Sequence, residues 1–103
     1  NKTLNKLDLS GCRICPVRIT EIVNMLKINE SLRILDLREC WIDDECVIEF
    51  AKALATNKYL INLSFCHNEI DNRGAVAIAD ALLTNTTLQK LYLDYNKIGT
   101  EGT

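Results

Sequence analysis

The segment LRILDLRECWI, residues 32–42, decides the fold, because its pattern returns along the chain at a fixed spacing. The other copies are LNKLDLSGCRI at residues 4–14, LINLSFCHNEI at 60–70 and LQKLYLDYNKI at 88–98, so each copy starts 28 residues after the previous one. Each copy has the alternating pattern of a short strand, and a helical pattern follows it. A unit of this size cannot bury its apolar side alone and must stack on its neighbours. The sequence therefore predicts an α/β solenoid with a parallel concave sheet and convex helices.

The segments between the copies have the apolar period of a helix. In the second copy Val47, Phe50, Ala51 and Leu54 fall at positions i, i+3, i+4 and i+7. The matching stripes are Ile19, Ile22, Val23 and Leu26 in the first copy and Ala75, Ile78, Ala79 and Leu82 in the third. The corresponding turns hold Pro16, Asp43-Asp44 and Asp71-Asn72. Proline in the first turn, or an Asp or Asn cap, is typical of a helix start.

The predicted organisation is one array over residues 1–103. Its repeats cover residues 3–30, 31–58 and 59–86, with a partial repeat at 87–103. Neither end has a capping segment, since Asn1–Thr3 is too short and Gly102 aligns with Gly74 at the start of the third helix. We therefore expect a fragment of a longer array, or one whose open ends are covered by a partner chain or by end-to-end self-association.

The repeat resembles a known family in both its consensus and its length. All four copies fit L-x-x-L-x-L-x-x-N/C-x-L, with Phe65 replacing one leucine and isoleucine at the last position of every copy, and this consensus is that of leucine-rich repeats. The 28-residue period resembles the ribonuclease-inhibitor class, which also supplies NOD-like immune sensors, Ran GTPase-activating proteins and tropomodulins. The resemblance implies a cytoplasmic module that binds other proteins.

Charge and composition argue against several other partners. The chain has 12 basic and 14 acidic residues, and its longest acidic run is residues 43–45. Nucleic-acid binding needs an excess of Lys and Arg, so we predict no nucleic-acid partner. We also predict no membrane association, because no apolar stretch approaches the ~18 residues of a spanning helix.

The five cysteines fit positions in the repeat better than they fit pairing. Cys12 and Cys40 occupy the column of Asn68 and Asn96, which is expected to point inward, and Cys46 aligns with Gly74. Unpaired cysteines favour a reducing compartment. The Cys12-x-x-Cys15 spacing could bind zinc, but no second such pair follows it, so we predict no metal site.

No residues form a convincing catalytic set or a cofactor site. Cys66-His67 is the one adjacent Cys/His pair, and neighbouring strand residues point to opposite faces. The Asp43-Asp44 pair is expected to cap a helix, where negative charge offsets the helix dipole. We therefore predict that the chain is not an enzyme and has no cofactor.

The residues between the strand leucines should form columns on the concave face and the loops beside it. These columns hold equal numbers of acidic and basic residues, and they carry the only tryptophan and two of the three tyrosines. Trp, Tyr and Arg are enriched at interface hot spots. The predicted protein-binding residues are Arg38, Glu39, Trp41, His67, Tyr92, Asp94 and Tyr95. An alternative for Trp41 is that it only packs over the neighbouring loop.

The leading hypothesis is a non-catalytic protein-interaction module that uses its concave face and adjoining loops. Two alternatives stay open. The chain could be the regulatory segment of a GTPase-activating or NOD-like immune-sensor protein, or it could be a structural repeat segment whose open ends assemble on another chain. The sequence does not name the partner.

Overall fold

The computed structural model describes residues 5–15 and 18–96, which form a four-stranded parallel sheet and three helices in strict alternation. The strands are β1 (Lys6–Asp8), β2 (Ile34–Asp36), β3 (Asn62–Ser64) and β4 (Lys90–Tyr92). The helices are α1 (Ile19–Ile28), α2 (Asp44–Leu54) and α3 (Asn72–Leu82). The strand order is β1-β2-β3-β4, and α2 packs against both α1 and α3. The predicted α/β solenoid is confirmed.

Some predictions lie outside the described residues. They concern the short segment before the first repeat, Pro16 at the first helix start, and the fourth copy beyond Asn96 with Lys97 and Gly102. The boundaries of the repeats and the expectation of a longer array stay predictions.

The sheet has the register that the 28-residue period predicts. Lys6 pairs with Ile34, Ile34 with Asn62, and Asn62 with Lys90, so equivalent residues of successive repeats lie side by side. The middle residue of each strand is a leucine, and in β2 and β3 that leucine is fully buried. The residues on either side of it point the other way and form the predicted columns.

The core lies between the sheet and the helices. In its centre the rings of Phe50 and Phe65 meet edge to face, with centroids 5.1 Å apart. Phe65, which replaces a consensus leucine, is fully buried, so the substitution keeps an apolar side chain in the core. A T-shaped pair of this kind adds to the free energy of area burial.

The helical stripes are confirmed in α1 and α2 but only partly in α3. All four stripe residues of α2 are buried. In α3, Ile78 is buried, whereas Ala79 and Leu82 are exposed, which the apolar period did not predict. The physical reason is stacking: α1 and α2 are each followed along the chain by a described helix that packs against them, whereas no described helix follows α3.

The inward Asn/Cys column ties each repeat to the previous one. The Asn68 side chain donates to the carbonyls of Leu37 and Phe65 and accepts from the N–H groups of Cys40 and Ile42, at 2.8–3.0 Å. The buried Cys40 thiol reaches the carbonyl of Leu9 at 3.1 Å, which confirms its place in this column. Cys12 is exposed, contrary to expectation. Side chains of this column contact the preceding repeat, and no described repeat precedes the first one.

The acidic helix starts divide into two roles. Asp43 and Asp71 cap α2 and α3, since their side chains accept from the N–H groups of Cys46 and Arg73. The sequence predicted that Asp44 also caps a helix, but its side chain does not cap α2. Its carboxylate accepts instead from the N–H groups of Asp71 and Gly74 in the next repeat, at 2.8 and 3.0 Å. Burial raises the pKa of the Asp44 carboxyl above its ordinary value, and nearby Asp71 raises it further.

Candidate protein-binding face

A turn with left-handed backbone follows every strand. The residues that make it share one column of the repeat, and we call them the turn column: Gly11, Glu39, His67 and Tyr95, with φ of 80°, 54°, 60° and 63°. This conformation is free for glycine but costs other residues on the order of 1 kcal/mol or more. Only the first repeat has glycine at this position. The other three repeats have a large side chain there, although the left-handed backbone favours glycine.

The backbone of Trp41 is also left-handed, with φ of 58°. The equivalent position in the neighbouring repeats does not need this conformation. Glu69, at the same position one repeat later, has no positive φ. Trp41 is 49% exposed, and the guanidinium carbon of Arg13 lies 5.7 Å from its ring centroid. The alternative that Trp41 packs on a neighbouring loop is therefore true in part, since Arg13 covers it, but half of the side chain stays accessible.

Three members of the turn column and Trp41 line one cavity of about 510 Å³, which we call the turn-side cavity. Its lining residues are Gly11, Glu39, Trp41, His67, Asn68 and Glu69. Glu39, Trp41 and His67 were predicted to bind a partner, and the structure brings them together here. Glu69 was not in the predicted set, although it belongs to the column of Trp41, because its position on a cavity wall depends on how the turns stack.

Tyr95 joins this group through His67. The two rings are stacked at a centroid distance of 4.4 Å and an angle of 7° between planes. They come from equivalent turn positions in adjacent repeats, so the left-handed turns align them. Tyr95 is 74% exposed even with this contact. The stack therefore holds the His67 side of the cavity and leaves Tyr95 open to solvent.

A second cavity of about 350 Å³ lies over the strands, and we call it the sheet-side cavity. It is lined by Lys6, Ile34, Leu35, Asp36, Arg38, Asn62, Ser64, Cys66 and Tyr92. Arg38 and Tyr92, both predicted binding residues, lie here rather than beside Trp41. Arg38 Nε donates to both carboxylate oxygens of Asp36 at 3.0 and 3.1 Å. This hydrogen bonding raises the pKa of Arg38 above its usual value and fixes the direction of its side chain.

Asp94, like Tyr95, is a predicted binding residue that lines neither cavity. It is exposed, and its carbonyl accepts from the N–H of His67 at 3.0 Å. That bond positions the turn that carries His67. The seven predicted residues therefore form two adjacent groups with Asp94 beside them, which supports a broad contact surface more than a single deep site.

The expectation that the cysteines are unpaired is wrong for two of them. Cys15 and Cys46 form a disulfide, with Cα atoms 6.1 Å apart, between a turn that follows β1 and the first turn of α2. The sequence obscured this pairing because the two residues occupy different columns of the repeat. Stacking of adjacent repeats brings those columns together. The prediction of a reducing compartment relied on unpaired cysteines and loses that support, while the cytoplasmic location implied by the family resemblance stays a prediction.

The same pair provides the one group of potential metal ligands in residues 5–15 and 18–96. Ligand atoms of Cys15, Asp43 and Cys46 lie within 4.8 Å of one another. Metals bind cysteine as the thiolate, and both sulfurs are held in the disulfide, so this form offers no thiolate. In the same part of the chain, no helix is long and apolar enough to cross a membrane.

Comparisons with known proteins agree with the repeat architecture. The profile of a family described as Leucine Rich repeat matches residues 1–15, 29–51, 56–79 and 84–102. The fold is similar to a solved structure described as leiomodin-1 actin-binding site 2, with a TM-score of 0.82 and 23% sequence identity. The match covers 92% of this chain and 56% of that one, so this chain spans just over half of its length. No curated protein matches the sequence at a significant level.

Proposed function

The chain belongs to the leucine-rich repeat family, and from this membership we propose that it is a non-catalytic module that binds a protein partner. The partner contacts the concave residues of the sheet-side cavity and the loops around the turn-side cavity. The family supplies the expectation of protein binding, and the geometry of the turns supports the choice of surface.

The observation that carries the proposal is the left-handed backbone of the turn column. Glycine fits this turn without strain, as Gly11 does, yet the later repeats hold Glu39, His67 and Tyr95 there. Strained positions that persist in a scaffold are a reason to look for function in their side chains. All three side chains are exposed, and those of Glu39 and His67 line the same cavity as the accessible Trp41. We infer that they are present for contacts with a partner.

The exposed aromatic residues support the same surface. Trp41, Tyr92 and Tyr95 are 49%, 42% and 74% exposed, and they lie on or beside the two cavities. Large aromatics of this kind dominate binding free energy when a partner buries them. The other exposed large apolar residues line neither of these cavities: Ile28, Val76 and Leu82 lie on helices, Leu83 directly follows α3, and Tyr59 lies in the bend before β3.

Site-specific photo-crosslinking tests which surface binds. Benzoylphenylalanine replaces Tyr92 or Tyr95 on the proposed face, or Val76 on α3 as the matched control, since Val76 is 59% exposed. Purified actin filaments are the first named probe, because the similar solved structure is described as an actin-binding site of leiomodin-1. Extract from the source cells, read by mass spectrometry, is the second.

The proposal expects one protein to crosslink from both tyrosine positions and not from the Val76 position. Crosslinks that come mainly from Val76, or equally from all three positions, would contradict the assignment of the face. The regulatory and assembly alternatives concern the role of the whole protein and stay predictions beside this one.

A further inference from the structure

We propose that the turn-side cavity receives one basic side chain, of arginine or lysine, from the protein partner. This inference rests on the proposed function and specifies the chemistry of its partner. It depends on the charge, the aromatic surface and the rigidity of a single cavity.

The charged groups lining the turn-side cavity are acidic. Glu39 and Glu69 are both exposed, and neither carboxylate has an ion pair within the described part of the chain, where every observed pair involves other acids. Neither lysine nor arginine lines the cavity. Two carboxylates that form no ion pair with the described residues favour a cation at this opening and disfavour an acidic ligand.

The ring of Trp41, which lines the cavity, already contacts one guanidinium group. The Arg13 guanidinium already stacks on its ring at 5.7 Å, which is within the range of a cation–π contact. Arg13 is not among the lining residues, and 49% of Trp41 stays exposed with Arg13 in place. Ring surface is therefore left for a second cation, whose alkyl stem could lie on the indole while its charged head reaches the carboxylates.

The walls of the cavity are held in place before a ligand arrives. Asn68, at its base, is 6% exposed and bonded to four backbone groups of two repeats. His67 is fixed by its stack on Tyr95. A preformed site loses little conformational entropy on binding. Arginine should bind better than lysine, because its planar fork can stack on an aromatic ring and meet carboxylates at the same time.

The test uses Trp41, the only tryptophan in the chain, as a fluorescent reporter located in the cavity. The probes are acetyl-Gly-Arg-Gly-amide, its lysine counterpart, and its citrulline counterpart, which has nearly the same shape as arginine without the charge. Fluorescence and ¹H–¹⁵N chemical shifts are followed in peptide titrations at millimolar concentration and low salt. The arginine peptide should bind best and the citrulline peptide at least about fivefold more weakly, as expected for exposed charge pairs and cation–π contacts.

Two double variants separate this cavity from a general effect of net charge. Glu39→Gln with Glu69→Gln should weaken binding of the arginine peptide about fivefold or more. Glu21→Gln with Glu49→Gln removes the same charge from exposed positions on α1 and α2 and should leave binding unchanged. Circular dichroism confirms that each variant is folded.

Equal binding of the arginine and citrulline peptides, or equal weakening by both double variants, would overturn the inference. These results do not depend on the crosslinking experiment. If the tyrosine positions crosslink a partner while the arginine peptide fails to bind, the pocket is wrong and the proposed face stands. If the peptide binds and only Val76 crosslinks, the cavity binds a basic side chain but the captured partner does not supply it, so both the proposed face and the partner assignment are wrong.

Discussion

Reduction of the Cys15–Cys46 disulfide should lower the free energy of unfolding by about 3–4 kcal/mol. The bond closes a loop between residues 31 positions apart in the sequence. In the chain-entropy treatment, a loop of roughly 30 residues restricts the unfolded chain by about 12 cal/mol/K, or about 3.7 kcal/mol at 25 °C. The effect should therefore come mainly from the unfolded state.

The assay is urea unfolding, followed by far-UV circular dichroism with and without a phosphine reductant. With a dependence on urea of about 2 kcal/mol/M, reduction should move the midpoint down by roughly 2 M. The double variant Cys15→Ser with Cys46→Ser should unfold near the midpoint of the reduced protein and ignore the reductant. Cys12→Ser removes an exposed free thiol and should keep the full response to the reductant.

Two results would refute this reasoning. One is a shift in unfolding free energy below about 1 kcal/mol on reduction, because the loop length then has no effect on stability. The other is a double serine variant that still responds to the reductant, which would mean that a different pair of cysteines forms the bond.

Three further predictions concern the scaffold. Asn68→Ala leaves four buried backbone groups without their side-chain partner and should lower the free energy of unfolding in urea by about 3 kcal/mol or more. Gly74→Ala places a methyl group 2.6 Å from Asp44 Oδ1 and should lower the free energy of unfolding by roughly 1–3 kcal/mol in the same assay. An unchanged free energy of unfolding would contradict the close packing of α3 against the start of α2. Burial raises the pKa of the Cys40 thiol to about 11, so iodoacetamide at pH 8 should modify exposed Cys12 well before Cys40, as read by peptide mass spectrometry, and equal rates would contradict the buried position.

The architecture was predictable because the same consensus occurs four times at a constant spacing. A 28-residue period fixes which residues are neighbours, and the parallel register of Ile34 with Lys6 and Asn62 follows from it directly. The helix caps were predictable for the same reason, since Asp43 and Asp71 occupy equivalent turns. Local chemistry and repeat position agree at these sites.

Two of the predictions that failed concern contacts between different columns. Cys15 lies in the column of Asp43, while Cys46 lies in the column of Gly74, so alignment of the copies gave no reason to pair them. Asp44 crosses the same boundary when it accepts from the N–H of Gly74. Such contacts depend on the offset between stacked helices, which the period of the sequence does not specify.

The candidate site was predictable in composition but not in arrangement. The column pattern identified Trp41 and Tyr95 as accessible aromatics, and both are. It did not divide the predicted residues between two cavities, and it did not include Glu69. Left-handed backbone at Glu39 and Tyr95 was also not visible, because these residue types do not mark such a turn in the way that Gly11 does.

The central claim is that large side chains at left-handed turn positions serve binding rather than the fold. Its most direct test is Tyr95→Gly, measured for both stability and affinity toward the partner captured by crosslinking, with Val76→Ala as the control. Glycine relieves backbone strain but removes the stack on His67, and these changes of about 1 kcal/mol each should nearly cancel in stability. The account predicts an unfolding free energy within about 1 kcal/mol of the parent and at least a tenfold loss of affinity, as expected for a tyrosine hot spot. Unchanged affinity together with a clear loss of stability would contradict it.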